Sequence, residues 1–426
     1  MHSHRYASAV ELTSPLPLPC GQVLPNRVMK AALSEALADY GQSPDERIHR
    51  LYERWSAGGF GLLLTGNVMV DRDHLGEPGH LVVDDERDLP VLTTWADIAH
   101  TSGTPIWMQV NHPGRQANPI VNRASPVAPS AVKPDIAGFP RPKALTEPEI
   151  EDIIERFAAT ARIAQKAGFD GVQIHAAHGY LISQFLSPLV NLRTDGWGGD
   201  LGRRCRFLVE VLRRVRAATG PDFAVSVKLN SADFQRGGFT EEQSRAVVAL
   251  LAGEQLDLIE ISGGSLESLA MMGRPTDGSA PAAGASPREA YFLDYALRVR
   301  AAAPHIPLAV TGGFRTRAAM AAALAEGACD VIGLGRPTCL LPEAGRALSD
   351  GTDTLPTAPV SRVRTGRVSR SRMIRSLAGA VDLQWHTDQL HRLAAGREPA
   401  PERSRWRTAY RMLQRNGTDA FRRKRS

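Results

Sequence analysis

The chain has 426 residues, 43% hydrophobic and 23% charged, with a formal net charge of +6. This is an ordinary globular composition, which excludes a disordered, fibrous or membrane-embedded protein and leaves room for one large core or two modest ones. The charge is uneven: from His391 onward ten arginines and one lysine face only Glu398, Glu402 and Asp419, so that stretch carries +8 and the remainder −2. The body therefore has no basic bias toward nucleic acid, and the tail, ending in Arg422 to Arg425, reads as a solvated helical face with a frayed end, with contact to an anionic membrane or nucleic acid as the alternative.

The first residues, Met1-His-Ser-His-Arg-Tyr, lead into scattered polar positions and a Pro-rich turn at Pro15 to Pro19. They lack the basic-then-apolar pattern of a leader, so neither secretion nor stable membrane insertion is expected. Cys20, Cys205, Cys329 and Cys339 form no C-x-x-C pair and read as isolated thiols in a reducing cytoplasm.

Short apolar β-type runs then occur at Arg27 to Leu33, Gly61 to Val68, Pro105 to Val110, Gly171 to Ile174, Phe223 to Leu229, Leu256 to Ile261, Pro307 to Val310 and Asp330 to Leu334. Helical periodicity lies between most of them, clearest over Thr146 to Gln165, where Ile150, Ile153, Ile154, Phe157 and Ala161 share one face. Thr146 with Glu149, and Thr240 with Gln243, have the spacing of capping boxes. Eight strand–helix units predict an α/β fold, a (β/α)8 TIM barrel over residues 1–350, with a doubly wound open sheet as the competitor. Polar or Gly-rich residues after nearly every run favour the barrel. The Pro-rich segment Val121 to Lys143 is expected to cross the barrel mouth, which Ser265 to Pro287 also borders. Residues 351–426 are expected to be a basic helical C-terminal extension, with helices over Arg372 to Ala395 and Arg405 to Arg415.

Chemistry-bearing residues collect at the predicted strand ends. The fourth strand runs into His175-Ala-Ala-His178-Gly-Tyr180, so His175, His178 and Tyr180 are expected to project from one strand-to-helix loop. This leaves metal ligation, acid–base chemistry and packing open. After the seventh and eighth strands come Gly312-Gly313-Phe-Arg315 and Gly333-Leu-Gly335-Arg336, which suit either a phosphate cradle or two tight turns. Lys228, closing the fifth strand, is also where a Schiff-base aldolase keeps its nucleophile.

With these residues in view, the chain resembles the Old Yellow Enzyme family over roughly residues 10 to 345. The resemblance is carried by the His175–Tyr180 loop, by Gln184 through Asn191-Leu-Arg193-Thr-Asp195-Gly-Trp-Gly198-Gly199, by Arg203-Arg204-Cys-Arg206-Phe207, by Asn26-Arg27-Val28 and by Gln109 with His112-Pro-Gly-Arg115. It implies FMN as cofactor, NADH or NADPH as reductant, and an activated alkene as the small-molecule substrate. Ala31, Ala32, Leu33 and Ser34 would run beside the flavin ring, with Gly66 and Asn67 next to them. Relatives often carry Pro at Ala32, Thr or Cys at Ser34, and Arg at Lys228. Gln109 and Lys228 would meet the pyrimidine edge, and Gly312, Gly313, Gly335 and Arg336 the phosphate. His175, which also borders the cofactor, and His178 would hold the substrate oxygen, and Tyr180 would supply a proton. A flavin-dependent amine-oxidising or demethylating barrel is the alternative, and a homo-oligomer is compatible with the sequence.

Overall fold

A computed structural model describes residues 10–122, 124–136, 138–263, 287–357 and 372–414 of the protein. All eight predicted runs are strands: β1 Val28–Lys30, β2 Leu62–Met69, β3 Ile106–Asn111, β4 Gly171–Ala176, β5 Ala224–Asn230, β6 Leu258–Ser262, β7 Leu308–Thr311 and β8 Val331–Leu334. Each pairs in parallel with its neighbours, and β8 and β2 both flank β1, so the sheet closes into the (β/α)8 barrel. The first strand is shorter than Arg27 to Leu33, because after Ala31 bonds Leu334 the chain leaves the sheet.

Alternation along the strands explains both core layers. Inward residues near the strand starts are apolar: Met29, Leu62, Leu64, Trp107, Ala224, Leu258, Ala309 and Val331 form one cluster, closed below by Leu16, Leu18 and Leu24 of an N-terminal hairpin. Outward residues such as Val172, Ile174, Val225, Val227, Ile259 and Ile261 pack under the helices. Further toward the carboxyl ends the inward positions turn polar: Gln109, Gln173, Ser226 and Glu260, then His175 and Lys228, all buried. The barrel is thus plugged by apolar side chains at one end and lined with polar ones at the other, where barrel enzymes work.

Between the strands lie α1 Glu46–Ser56, α2 Leu89–His100, α3 Glu147–Lys166, α4 Leu181–Leu186, α5 Leu201–Thr219, α6 Glu241–Leu251, α7 Pro287–Arg300, α8 Arg317–Ala325 and α9 Ala344–Ser349. Both capping boxes form, at Thr146 with Glu149 and at Thr240 with Gln243. In the predicted mouth segment, Val127–Ala128 pairs with Lys143–Ala144 and packs on α4 and on the turn Gly114–Gln116, beside the loops that follow β3 and β4. Of Ser265 to Pro287, all but Pro287, which opens α7, lies outside the described residues.

The C-terminal helices are α10 Arg372–Ala394 and α11 Arg405–Gln414; α10 packs on α1 and on the turn Arg336–Cys339. They carry the first part of the basic stretch. Arg403 and Arg411 both pair with Asp388, and Arg405 with Asp382, so acidic residues of α10 neutralise part of it. Arg422 to Arg425 lie outside the described residues. Among the described residues no helix is long and apolar enough to cross a membrane.

Candidate active site

The carboxyl ends of the strands bring the predicted residues onto one rim. Gly66 sits against the backbone of Leu33, where a Cβ would lie 2.6 Å from the Leu33 oxygen, and a Cβ on Gly335 would stand 3.4 Å from the Leu33 side chain. The Ala31–Ser34 segment therefore lies between the β2 and β8 ends, with Ala32, Leu33 and Ser34 half-exposed. Asn67 is in register with Gln109, and His175 with Lys228.

One prediction needs correction. His175 does not project from the loop with His178 and Tyr180; it is an inward residue of β4 itself, 3% exposed. Convergence still results, because the loop folds back over the strand end. The ring of His175 meets His178 at 5.0 Å and Tyr180 edge-on at 4.9 Å. His178 has φ +61°, an unfavourable backbone region for a residue with a Cβ. Two bonds hold it there: its N–H donates to Asn230 Oδ1 (3.1 Å) and its Nε2 lies 2.8 Å from Ser262 Oγ.

The proton positions follow from the partners. The Ala177 N–H donates to His175 Nδ1 (3.2 Å), so the neutral ring carries its proton on Nε2 and is a donor there. Burial, His178 and Lys228 hold His175 well below the usual histidine range, and burial with Lys228 lowers His178 to about 3. Burial and the charge of Glu77 raise the Tyr180 phenol, with the Asn67 side chain at its hydroxyl, so it stays protonated at neutral pH.

Beneath these groups runs a buried chain absent from the sequence reading. Gln109 Nε2 donates to Gln173 Oε1 (2.7 Å), Gln173 Nε2 donates to Glu260 Oε2 (2.9 Å), and Glu260 Oε1 pairs with Lys228 Nζ at 2.8 Å. The lysine expected at the pyrimidine edge is thus paired with an acid. Period-two counting from His175 and Lys228 would have put Gln173 and Ser226 on the same face, but not the cross-strand partner of Lys228.

Across the same rim Gly312 and Gly313 adopt φ +135° and +89°, and Gly335, where a Cβ would meet only the Leu33 side chain, precedes the exposed Arg336. Glycines without a Cβ let main-chain N–H groups approach an anion closely, and with a guanidinium beside them they suit a phosphate. The amide of Gln109, the Lys228 ammonium and the Ser34 hydroxyl suit the carbonyl and nitrogen edge of an isoalloxazine ring. The donor set fits FMN in both halves.

Asp71, His74 and His112 form a further buried cluster that sequence reasoning missed, with their candidate ligand atoms all within 4.8 Å of one another. Its protons are already committed. His74 bridges Asp71 Oδ2 (2.7 Å) and the Ser125 oxygen (3.1 Å), which requires a proton on each ring nitrogen. His112 accepts the Gly114 N–H on Nδ1, leaving its proton on Nε2, 3.6 Å from Asp71. The cluster reads as an ion pair bracing the loops after β2 and β3. Burial opposes the His74 charge, but Asp71 outweighs it and raises the group, whereas burial lowers His112 to about 4.

A pH dependence follows. His112, His175, His178 and His386, the last also lowered by burial to about 4, are neutral in the fold and take up protons near 6.5 once unfolded. Stability is therefore full above about pH 6.5 and falls as pH drops toward 4, each such group adding up to about 1.4 kcal/mol per pH unit. His74, already charged in the fold, opposes this only above pH 6.5. Urea unfolding between pH 7.5 and 5 at fixed salt, roughly the span of the unfolded histidine titration, checks it; a flat profile would show that these rings are solvated.

The sequence profile of the NADH:flavin oxidoreductase / NADH oxidase family matches residues 12–352. The NADH-dependent flavin oxidoreductase iliE of Hypocrea jecorina (strain QM6a) is 38% identical over 348 residues, covering 77% of this chain and 86% of the relative. Among solved structures, the old yellow enzyme homologue from Zymomonas mobilis superposes with a TM-score of 0.69 at 25% identity, covering 82% of this chain and 95% of that one. 2-Naphthoyl-CoA reductase, in complex with 2-naphthoyl-CoA, gives 0.74 at 27% identity, and there the match covers 80% of this chain but only 52% of the other.

Proposed function

Since the chain belongs to the NADH:flavin oxidoreductase / NADH oxidase family, we propose that it moves hydride from NADH or NADPH to the electron-poor double bond of a small enone-type molecule at the barrel mouth. FMN, when bound, supplies the hydride carrier that both substrates meet in turn. Gly312, Gly313, Gly335 and Arg336 hold its phosphate. Ala31 to Ser34, Gly66 and Asn67 border its ring, and Gln109 and Lys228 meet the pyrimidine edge. His175 and His178 donate to the carbonyl oxygen of the alkene substrate, which draws electron density from the β carbon. Tyr180 delivers the proton to the α carbon. Residues 1–350 act as the barrel and 351–426 as its extension, and the free thiols suit a cytoplasmic setting.

The observation that carries this reading is the state of His175: a buried neutral ring with Nδ1 occupied and Nε2–H free to donate, edge-on to Tyr180 and next to Lys228. The ion pair of Lys228 with Glu260 speaks against a Schiff-base role, which needs an amine free to attack. A phenol, whose oxygen mimics the substrate carbonyl, tests the histidines. Replacing His175 and His178 together by alanine should weaken phenol binding up to about 100-fold, the loss of two hydrogen bonds to its oxygen, while FMN stays bound. Loss of FMN with unchanged phenol affinity in the remaining holoprotein would mean that they serve the frame only.

A further inference from the structure

The loop bordering the cofactor is held from outside the barrel. Glu35, 4% exposed, is the next residue after Ser34, and its Oε1 accepts from Tyr52 Oη (2.5 Å), Lys30 Nζ (3.3 Å) and the Gly66 N–H (3.1 Å). The Gly66 N–H lies at the irregularity where β2 shifts register between Leu64 and Asn67, so no strand neighbour takes it. Glu35 thereby ties the Ala31–Ser34 segment to the Gly66–Asn67 segment.

The same loop is gripped on its other side by α10. His391 Nε2 lies 3.0 Å from the Glu35 main-chain oxygen, and Thr387 Oγ1 donates a longer bond (3.4 Å) to the Ser34 oxygen. Thr387 and His391 are one helical turn apart on α10 and so reach the loop together. One turn earlier His386 Nδ1 donates to the Asp382 oxygen (2.8 Å), and α10 packs on the turn that carries Arg336. One helix thus meets both the phosphate-side turn and the ring-side loop, the latter across 356 residues of sequence between Glu35 and His391.

We propose that α10 is part of the frame of the cofactor site, with His391 and Thr387 as positioning residues that fix the Ser34–Glu35 main chain and, through Glu35, the Gly66 turn. The proposal rests on the assignment of these segments to FMN. It gives the C-terminal extension a role in cofactor retention.

Full-length apoprotein titrated with FMN, followed by quenching of flavin fluorescence, tests it. His391→Ala should weaken FMN about fivefold and combination with Thr387→Val about tenfold, as expected for one or two lost hydrogen bonds. The visible absorption of bound FMN should shift because Ser34 moves. His391→Gln, which keeps an N–H donor, should restore both. Unchanged affinity and spectrum in His391→Ala would overturn the proposal, and should that variant fail to fold, Thr387→Val alone must show the smaller effect. Arg336→Ala serves as the control for the site. If it weakens FMN while the α10 variants do not, only the role of α10 falls; if neither weakens FMN, the site assignment falls with it.

Discussion

Tyr180→Phe is expected to slow turnover of an enone substrate by two orders of magnitude or more, while oxidation of the nicotinamide with a different electron acceptor keeps its rate. Tyr180 caps α4 and lies edge-on to His175, and phenylalanine preserves that ring contact and the local backbone. Only the hydroxyl is lost. Burial and Glu77 raise its pKa, so at neutral pH it keeps its proton beside Asn67. A positioned acid contributes about 10²–10⁴ in rate, whereas a packing role would leave the phenylalanine variant near wild type. Stopped-flow measurement of each half of the cycle separates the cases: equal slowing of both halves would refute proton donation.

The second large effect concerns stability. Lys30 is fully buried, with its Nζ 3.9 Å from the Trp55 ring centroid and 5.0 Å from that of Tyr52, and it donates to the Leu64 oxygen (2.7 Å) and to Glu35. Lys30→Met removes one member of a buried pair and leaves Glu35 without its cation, which costs about 3–5 kcal/mol. Adding Glu35→Gln should recover part of that loss, since no net charge then remains buried and the amide oxygen can still accept from Tyr52 and Gly66. Urea unfolding of the four proteins of this cycle measures both terms. A loss below about 1 kcal/mol in Lys30→Met would mean that water or another group reaches Glu35.

Much of the barrel is legible in the sequence because its strands are short apolar runs broken by glycine and polar residues, and because Thr146 and Thr240 advertise helix starts. Candidate-site residues at strand ends are legible for the same reason: a lysine or glutamine closing an apolar run has nowhere to point but the mouth or a partner. The partners are not legible. Glu260 stands in an apolar run, Leu258 to Ile261, and its pairing with Lys228 depends on the register of β5 against β6. The tautomer of His175 depends on the Ala177 N–H, and the conformation of His178 on Asn230. Glu35 and His391 carry no local signal, since their meeting is fixed only when α10 docks against the barrel.

One anaerobic experiment tests the hydride relay from nicotinamide through flavin to alkene most directly. The purified protein, loaded with FMN, should bleach when reduced nicotinamide is added and recover its colour when a ring enone follows, with one enone consumed per flavin reoxidised. A protein that does not take up FMN, or whose bound FMN keeps its colour in the presence of both NADH and NADPH, would contradict it.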